Sequence, residues 1–117
     1  MTIFCYNACS TCKKAITFLK THSIQYTYRD IKTEPPTKEE LRQMHRLSGL
    51  DLKKFFNTSG QLYRSLHVKD QLPSMSEEEI LTLLSSDGML VKRPLLIHEQ
   101  PVLVGFKEER DKQVWID

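Results

Sequence analysis

The chain has 117 residues, of which 39% are hydrophobic and 27% charged, a composition typical of one globular domain over residues 1–117 that needs no disulfide or metal for stability. Its 17 basic and 15 acidic residues leave a formal net charge of +2, which gives no electrostatic case for binding nucleic acid or a membrane surface. No apolar run resembles a membrane span or a signal peptide, so we expect a cytoplasmic protein with reduced cysteines.

The N-terminal part of the chain predicts a strand, a helix and a second strand. Residues 2–6 (TIFCY) are apolar, aromatic and β-branched, which is typical of a buried strand. Apolar residues then recur with helical spacing from Cys12, so an amphipathic helix begins just after Cys9. Residues 24–31 (IQYTYRDI) alternate like a half-buried strand. This order predicts a βαβ unit whose two strands are parallel and joined by a right-handed crossover.

The rest of the chain predicts further helices and one hairpin. Two capping boxes, in which Ser or Thr precedes Glu by three positions, mark helix starts: Thr37 with Glu40, and Ser76 with Glu79. Residues 50–72 between these helices are irregular to short-helical. RPLLIHEQPVLVGF (93–106) contains two apolar strands around a polar HEQ turn, which predicts an antiparallel hairpin, and KEERDKQVW (107–115) predicts a closing helix.

All three cysteines of the chain, Cys5, Cys9 and Cys12, lie close together. Their C-x3-C-x2-C spacing is also used to hold iron–sulfur clusters, but usually on barrels that need about 250 residues. Cys5 moreover falls inside the predicted strand, on the side of Ile3, where a small apolar filler is expected. A zinc site normally needs a second ligand pair, and the four histidines are scattered. We therefore expect no metal site.

Cys9 and Cys12 form a C-x-x-C motif on the turn between the predicted strand and helix. Unpaired N–H groups at the helix start, the helix dipole and the neighbouring Lys13 and Lys14 favour a thiolate at Cys9. Cys12 lies a turn later, close enough to attack a bond formed at Cys9. The motif predicts Cys9 as a nucleophile and Cys12 as the resolving cysteine. The alternative is a pair of unreactive thiols, because Cys12 also belongs to the apolar face of the helix.

NACSTCKKA, the NTSG turn, and KRPLLI followed by VLVGF resemble the arsenate reductase-like family, which includes glutaredoxin-linked arsenate reductases and the Spx transcription regulators. The resemblance covers nearly the whole chain. It implies an α/β, thioredoxin-like fold: a four-stranded mixed sheet flanked by helices, with an inserted helical region. It also implies that Cys9 is the nucleophile and that Arg93 and Pro94 lie beside it at the substrate, with a cis bond between them as one of two alternatives.

The resemblance further implies that Arg93 binds an oxyanion and helps to hold the thiolate, since a guanidinium can fork onto such an anion. Arsenate reductases of this type use two more arginines. At those two regions this chain has Asn57 and Ser59, which can donate only weaker hydrogen bonds, and Gly105 and Phe106. Efficient arsenate reduction is therefore not expected.

A complete C-x-x-C departs from the arsenate reductase pattern, in which external glutathione resolves the nucleophile, and is similar to the Spx pattern, in which the pair is a redox switch. Two functions are implied. One is a thiol–disulfide oxidoreductase acting on a small oxyanion or a thiol or disulfide, without a bound cofactor, reduced by glutathione or a thioredoxin- or glutaredoxin-type protein. The other is a redox-sensing regulator that binds the α subunit of RNA polymerase, although Spx-like chains extend further at the C-terminus.

Overall fold

The computed structural model describes residues 1–97 and 102–115. Its strands and helices in chain order are β1 (Thr2–Cys5), α1 (Ser10–Thr21), β2 (Thr27–Asp30), α2 (Lys38–Ser48), α3 (Gln61–Ser65), α4 (Val68–Gln71), α5 (Glu77–Ser86), β3 (Leu95–Ile97), β4 (Val102–Val104) and α6 (Glu108–Trp115). Short 3₁₀ helices lie between them at Leu52–Phe55, Leu72–Ser74 and Gly88–Leu90. No helix in this part of the chain is long and apolar enough to cross a membrane.

The strands form one mixed sheet in the order β2-β1-β3-β4. β1 pairs with β2 in parallel, while β1 with β3 and β3 with β4 are antiparallel. This confirms the predicted four-stranded mixed sheet, the parallel strands of the βαβ unit and the antiparallel hairpin pairing. The HEQ turn predicted between β3 and β4 lies outside the described residues. Because β1 is central, its carboxyl end is flanked both by the chain leaving β2 and by the chain entering β3.

The second strand is shorter than residues 24–31, the range that its alternation predicts. Ile24 donates its N–H to the carbonyl of Leu19 in α1, 2.9 Å away, and so closes the helix end instead of joining the sheet. The ladder begins where Thr2 faces Thr27, since β1 itself begins there. β2 is an edge strand, and Tyr28 on it is 42% exposed.

The two faces of the sheet pack against different parts of the chain. β1 alternates, so that Ile3 and Cys5 point to one face and Phe4 to the other. The first face is covered by α1, and we call its buried cluster the thiol face: Ile3, Cys5, Cys12, Ala15, Phe18, Leu19, Leu96 and Leu103. The second face is covered by the inserted helices, and we call it the insert face; its members include Phe4, Leu41, Met44, Phe55, Phe56, Leu84, Leu95 and Val104.

The inserted helices begin where the capping boxes predict. The hydroxyl of Thr37 accepts the N–H of Glu40 at 3.1 Å, and the Glu40 carboxylate accepts the N–H of Thr37 at 2.9 Å. Ser76 and Glu79 form the same reciprocal pair at the start of α5. α2 ends at Gly49, whose φ of 68° lies in the left-handed region that favours glycine. α2 and α5 are thus fixed against the insert face, away from the cysteine turn.

Candidate active site

Cys9 is the N-cap residue of α1, in extended backbone geometry (φ −88°, ψ 119°). The turn that leads to it is closed by its own N–H, which donates to the carbonyl of Tyr6 at 2.9 Å. The Cys9 carbonyl accepts the N–H of Lys13 at 3.1 Å, so the helix starts immediately. The thiol makes no capping hydrogen bond and is partly exposed. The chain therefore presents the Cys9 sulfur at the positive end of a 12-residue helix dipole.

The turn that carries Cys9 is the first wall of the site, and the segment that precedes β3 is the second. Asn57 donates its N–H to the carbonyl of Leu90, and Lys92 donates its N–H to the carbonyl of Phe55, each at 2.8 Å. Phe56 and Val91 form an antiparallel bridge between these two bonds. This pairing holds the NTSG turn (57–60) beside residues 90–93. Two segments that are distant in the sequence therefore form one wall of the site.

A third wall is the turn after β4. Gly105 has a φ of 73° and donates its N–H to the carbonyl of Pro94 at 2.7 Å. A Cβ added at Gly105 would lie 3.1 Å from Cε of Lys92, so the bare glycine lets the Lys92 side chain pass closely. Arg110 of α6 donates to the Gly105 carbonyl at 2.9 Å and anchors the turn.

These walls enclose a cleft of about 370 Å³. Its lining residues are Cys9, Thr11, Asn57, Ser59, Lys92, Arg93, Val104, Gly105, Phe106 and Lys107. Lys92, Arg93 and Lys107 make no ion pair with a carboxylate in the described part of the chain. Three cations and a helix N-terminus therefore face one cleft, which favours an anionic ligand.

The guanidinium of Arg93 is positioned by weak contacts. Its Nη1 lies 3.5 Å from the Val91 carbonyl and 3.8 Å from the Met89 sulfur, and its Cζ lies 5.8 Å from the centre of the Tyr6 ring. Its Nε is buried and has no hydrogen-bond partner among the described residues. A buried donor without an acceptor is costly in a folded protein. Arg93 thus keeps one donor without a partner while its side chain lines the cleft.

Cys12 lies beneath Cys9, on the buried side of α1. Only 1% of Cys12 and 0% of Cys5 are exposed. The neighbouring Cys5 thiol, followed by the backbone of Tyr6, the Cys9 thiol and the charge of Arg93, outweighs the effect of burial, and together they lower the pKa of Cys12 to about 7. The neighbouring Cys12 thiol, together with burial, raises the pKa of Cys5 far above its ordinary value. The resolving position predicted from the motif is therefore the readily ionised member of the buried pair.

The structure brings together four of the residues that the sequence analysis proposed for the site. Cys9, Arg93, Asn57 and Ser59 all line the cleft, and the Ser59 hydroxyl donates to the Asn57 side chain at 3.3 Å. Cys12 reaches Cys9 from below and does not line the cleft. The Arg93–Pro94 bond is cis. Pro94 itself is buried and holds Gly105 through its carbonyl instead of lining the cleft.

Three residues of the site were missed by the sequence analysis. Lys92 and Lys107 line the cleft where the resemblance predicted a deficit of positive charge. The signal for Lys92 was its position beside Arg93, whereas Lys107 follows a turn whose direction the sequence does not reveal. Cys5 was interpreted as a filler, which its burial supports, and it lies in the same buried cluster as Cys12. No group of three His, Cys, Asp or Glu side chains in residues 1–97 and 102–115 is arranged to hold a metal ion.

Comparison with known proteins places this arrangement in a family. Residues 4–114 match the model of the ArsC family. The chain belongs to the ArsC family. It is 50% identical to the uncharacterized protein YusI of Bacillus subtilis over 98% of each chain. The structure of a possible arsenate reductase from Streptococcus mutans UA159 superposes with a TM-score of 0.87 and 46% identity, covering 94% of this chain and 96% of that one.

Regulators of the ArsC family are also similar to this chain. The global transcriptional regulator Spx 1 of Oceanobacillus iheyensis is 27% identical over 93% of this chain and 82% of its own length. Family membership thus confirms the resemblance and the thioredoxin-like fold, but it spans both reductases and regulators.

Proposed function

We propose that this ArsC family protein is a thiol–disulfide oxidoreductase in which Cys9 is the nucleophile and Cys12 the resolving cysteine. One observation carries the proposal: Cys9 is partly exposed at the start of α1 and lines the basic cleft, while Cys12 belongs to the buried cluster against which Cys9 packs. A substrate can therefore reach Cys9, and Cys12 can reach the bond that forms there. A reducing compartment such as the cytoplasm would keep both thiols free between turnovers.

The proposed reaction begins when the Cys9 thiolate attacks a sulfur of a substrate disulfide. A bond forms between Cys9 and that sulfur, and the other half of the substrate leaves as a thiolate. The Cys12 thiolate then attacks Cys9, which releases the second half of the substrate and leaves a Cys9–Cys12 disulfide. The substrate has gained two electrons and the protein has lost two. Glutathione or a thioredoxin- or glutaredoxin-type protein restores both thiols, and no bound cofactor is needed.

The charge of the cleft indicates an anionic substrate. Arg93, Lys92 and Lys107 add three positive charges to the lining of the cleft, and Asn57 and Ser59 add neutral polar groups. Lysine attracts an anion but cannot form the paired, planar hydrogen bonds that arginine forms with an oxyanion. A mixed disulfide with a carboxylate-bearing thiol such as glutathione therefore fits the cleft better than arsenate, which needs several oxygens to be held in a fixed geometry.

Mass spectrometry after mild peroxide treatment tests the proposal. We expect Cys9 and Cys12 to join, with a loss of two hydrogens, while Cys5 stays a free thiol. When oxidised glutathione is added, Cys12→Ser should instead retain one glutathione on Cys9. Cys5→Ser is the matched control, because it removes a thiol of the same cluster and should leave the Cys9–Cys12 bond intact. If neither the internal bond nor the glutathione adduct forms, the proposal is wrong.

A regulator that binds the α subunit of RNA polymerase is the second candidate, favoured by the similarity to Spx 1 and by the complete C-x-x-C. In this case the Cys9–Cys12 bond would change the conformation at the start of α1, and with it the surface that binds the polymerase subunit. Capture on immobilised α subunit with reduced and with oxidised protein distinguishes the two. Binding in one redox state supports the regulator, and no binding in either state removes it.

A further inference from the structure

A groove of about 890 Å³ lies next to the cleft that Cys9 lines, and it has more than twice the volume of that cleft. The rings of Phe56 and Tyr63 contribute to its lining and tilt against each other, with their centres 5.9 Å apart. Leu72 and Ile80, both partly buried against the insert face, extend the apolar part of the lining. A recess of this size and character is typical of a binding site.

The groove is also strongly basic, and we call it the lysine groove after the four exposed lysines that line it, Lys53, Lys54, Lys69 and Lys92. Within residues 1–97 and 102–115 none of these lysines forms an ion pair. Asp51 also belongs to the lining, but its carboxylate already accepts the N–H of Lys53 at 3.1 Å. Because the positive charges surround a partly apolar recess, the groove favours a ligand with negative charges on both sides of an apolar group.

The lysine groove and the cleft of Cys9 share one wall. Along residues 56–59 the side chains alternate: Phe56 and Thr58 line the groove, and the two others line the cleft. The side chain of Lys92 lines both cavities. A chain that occupies the groove can therefore continue past Lys92 into the cleft, where a sulfur that it carries would meet Cys9.

We propose that the lysine groove binds an acidic polypeptide segment that carries the substrate disulfide, with one apolar side chain of that segment in the recess. A polypeptide supplies carboxylates for the lysines, an apolar group for the recess and a cysteine for Cys9, whereas a nucleic acid would supply only the charge. The inference rests on the proposed function and adds no new chemical step. Cys9 bonds to the sulfur of the segment, the other half of the disulfide leaves as a thiolate, and Cys12 then attacks Cys9 and releases the segment as a thiolate.

Binding to the reduced protein tests the inference without turnover. The probe is a fluorescently labelled synthetic peptide in which glutamates and one leucine flank a serine that replaces the reactive cysteine, and anisotropy reports its binding. We expect Lys54→Glu and Lys69→Glu each to weaken binding about fivefold, because an attraction becomes a repulsion. Replacing the leucine of the peptide by serine should weaken binding about tenfold, because the apolar recess is no longer filled.

Lys20→Glu is the matched control, because Lys20 is an exposed lysine on α1 that does not line the groove, and it should leave binding unchanged. Equal losses in Lys20→Glu, Lys54→Glu and Lys69→Glu would show that only the net charge matters, and the inference would be overturned. Binding that is as tight without the leucine would overturn it as well, because any polyanion, including an oligonucleotide, would then suffice.

A kinetic comparison connects the groove with Cys9. The two substrates are glutathione disulfide and the mixed disulfide of glutathione with the cysteine form of the peptide. The ratio of kcat/KM for the peptide disulfide to kcat/KM for glutathione disulfide should fall about fivefold in Lys54→Glu and stay constant in Lys20→Glu. A constant ratio in both variants overturns the inference and leaves the proposed function standing. Specific peptide binding without reduction of either disulfide overturns the proposed function and supports the groove as an acidic-peptide site.

Discussion

The thiol face and the insert face of the sheet bury comparable kinds of apolar surface, but the two buried thiols of the chain both lie on the thiol face. On the insert face, large side chains such as Phe55 and Leu84 are fully buried against one another. On the thiol face, two of the buried positions are the small thiols Cys5 and Cys12. Because cysteine has a small side chain, these positions bury less apolar surface, and the thiol face gains less hydrophobic stabilisation from them. The insert face therefore contributes mainly to the stability of the sheet, whereas the thiol face also carries the thiol groups proposed to react.

The largest expected effect is that of Cys9→Ser, which should lower disulfide reductase activity by at least about 10³-fold, because the attacking sulfur is lost. Stability should move in the opposite direction. The Cys9 thiol makes no capping hydrogen bond, whereas serine is a preferred N-cap residue and can add up to about 1 kcal/mol. Denaturant unfolding under reducing conditions measures the second effect. A variant that is inactive because it is unfolded would contradict the separation of the two faces.

Leu84→Ala should show the reverse pattern. Leu84 is 0% exposed within the insert face, and removing its side chain should lower the free energy of unfolding by about 2–5 kcal/mol. The activity of the folded fraction should not change. Leu47→Ala is the matched control, because Leu47 is 39% exposed and its loss should cost less than about 1 kcal/mol. A changed ionisation of Cys12 in Leu84→Ala would show that the two faces are coupled.

The pH dependence of the resolving step should follow the ionisation of Cys12. The lowered pKa of Cys12, to about 7, means that its reactive form gains population as the pH rises through neutrality. Release of glutathione from the Cys9 mixed disulfide should therefore increase about tenfold between pH 6 and pH 8 and level off above. A rate that still rises steeply above pH 8 would indicate an ordinary thiol. In Cys12→Ser the release should instead require an added thiol.

The helices that cover the insert face were easier to predict from the sequence than the basic cleft beside Cys9. Capping boxes are local signals, so Thr37 with Glu40 and Ser76 with Glu79 located α2 and α5 correctly. The alternation of β1 predicted that Ile3 and Cys5 share one face, and the spacing of α1 predicted a buried stripe that begins at Cys12, although it did not include Phe18. The C-x-x-C turn was predictable for the same reason, because its residues are neighbours in the chain.

The basic cleft, in contrast, depends on contacts between distant segments. Lys92 and Lys107 meet Cys9 only because β3 lies antiparallel to β1 and because Gly105 bonds to Pro94. Cys5 and Cys12 share one buried cluster because α1 packs on the face of the sheet that carries Cys5. Periodicity predicts which side of an element is buried but not which side chains meet across a packed face. The charges and buried thiols that distant segments bring to the site could therefore be identified only from the structure.

The smallest expected effect is that of Thr37→Ala, at the start of α2 on the insert side. Losing the hydroxyl that accepts the Glu40 N–H should lower the free energy of unfolding by about 1 kcal/mol. Thr37→Ser keeps an equivalent hydroxyl and should restore stability, so a loss in both variants would point to a cause other than the cap. Since Thr37 caps α2, which packs on the face opposite the cysteines, neither variant should move the pH profile of glutathione release. A shift in that profile would mean that strain at the insert passes through the sheet to Cys12, and the two faces would then have to be treated as one unit.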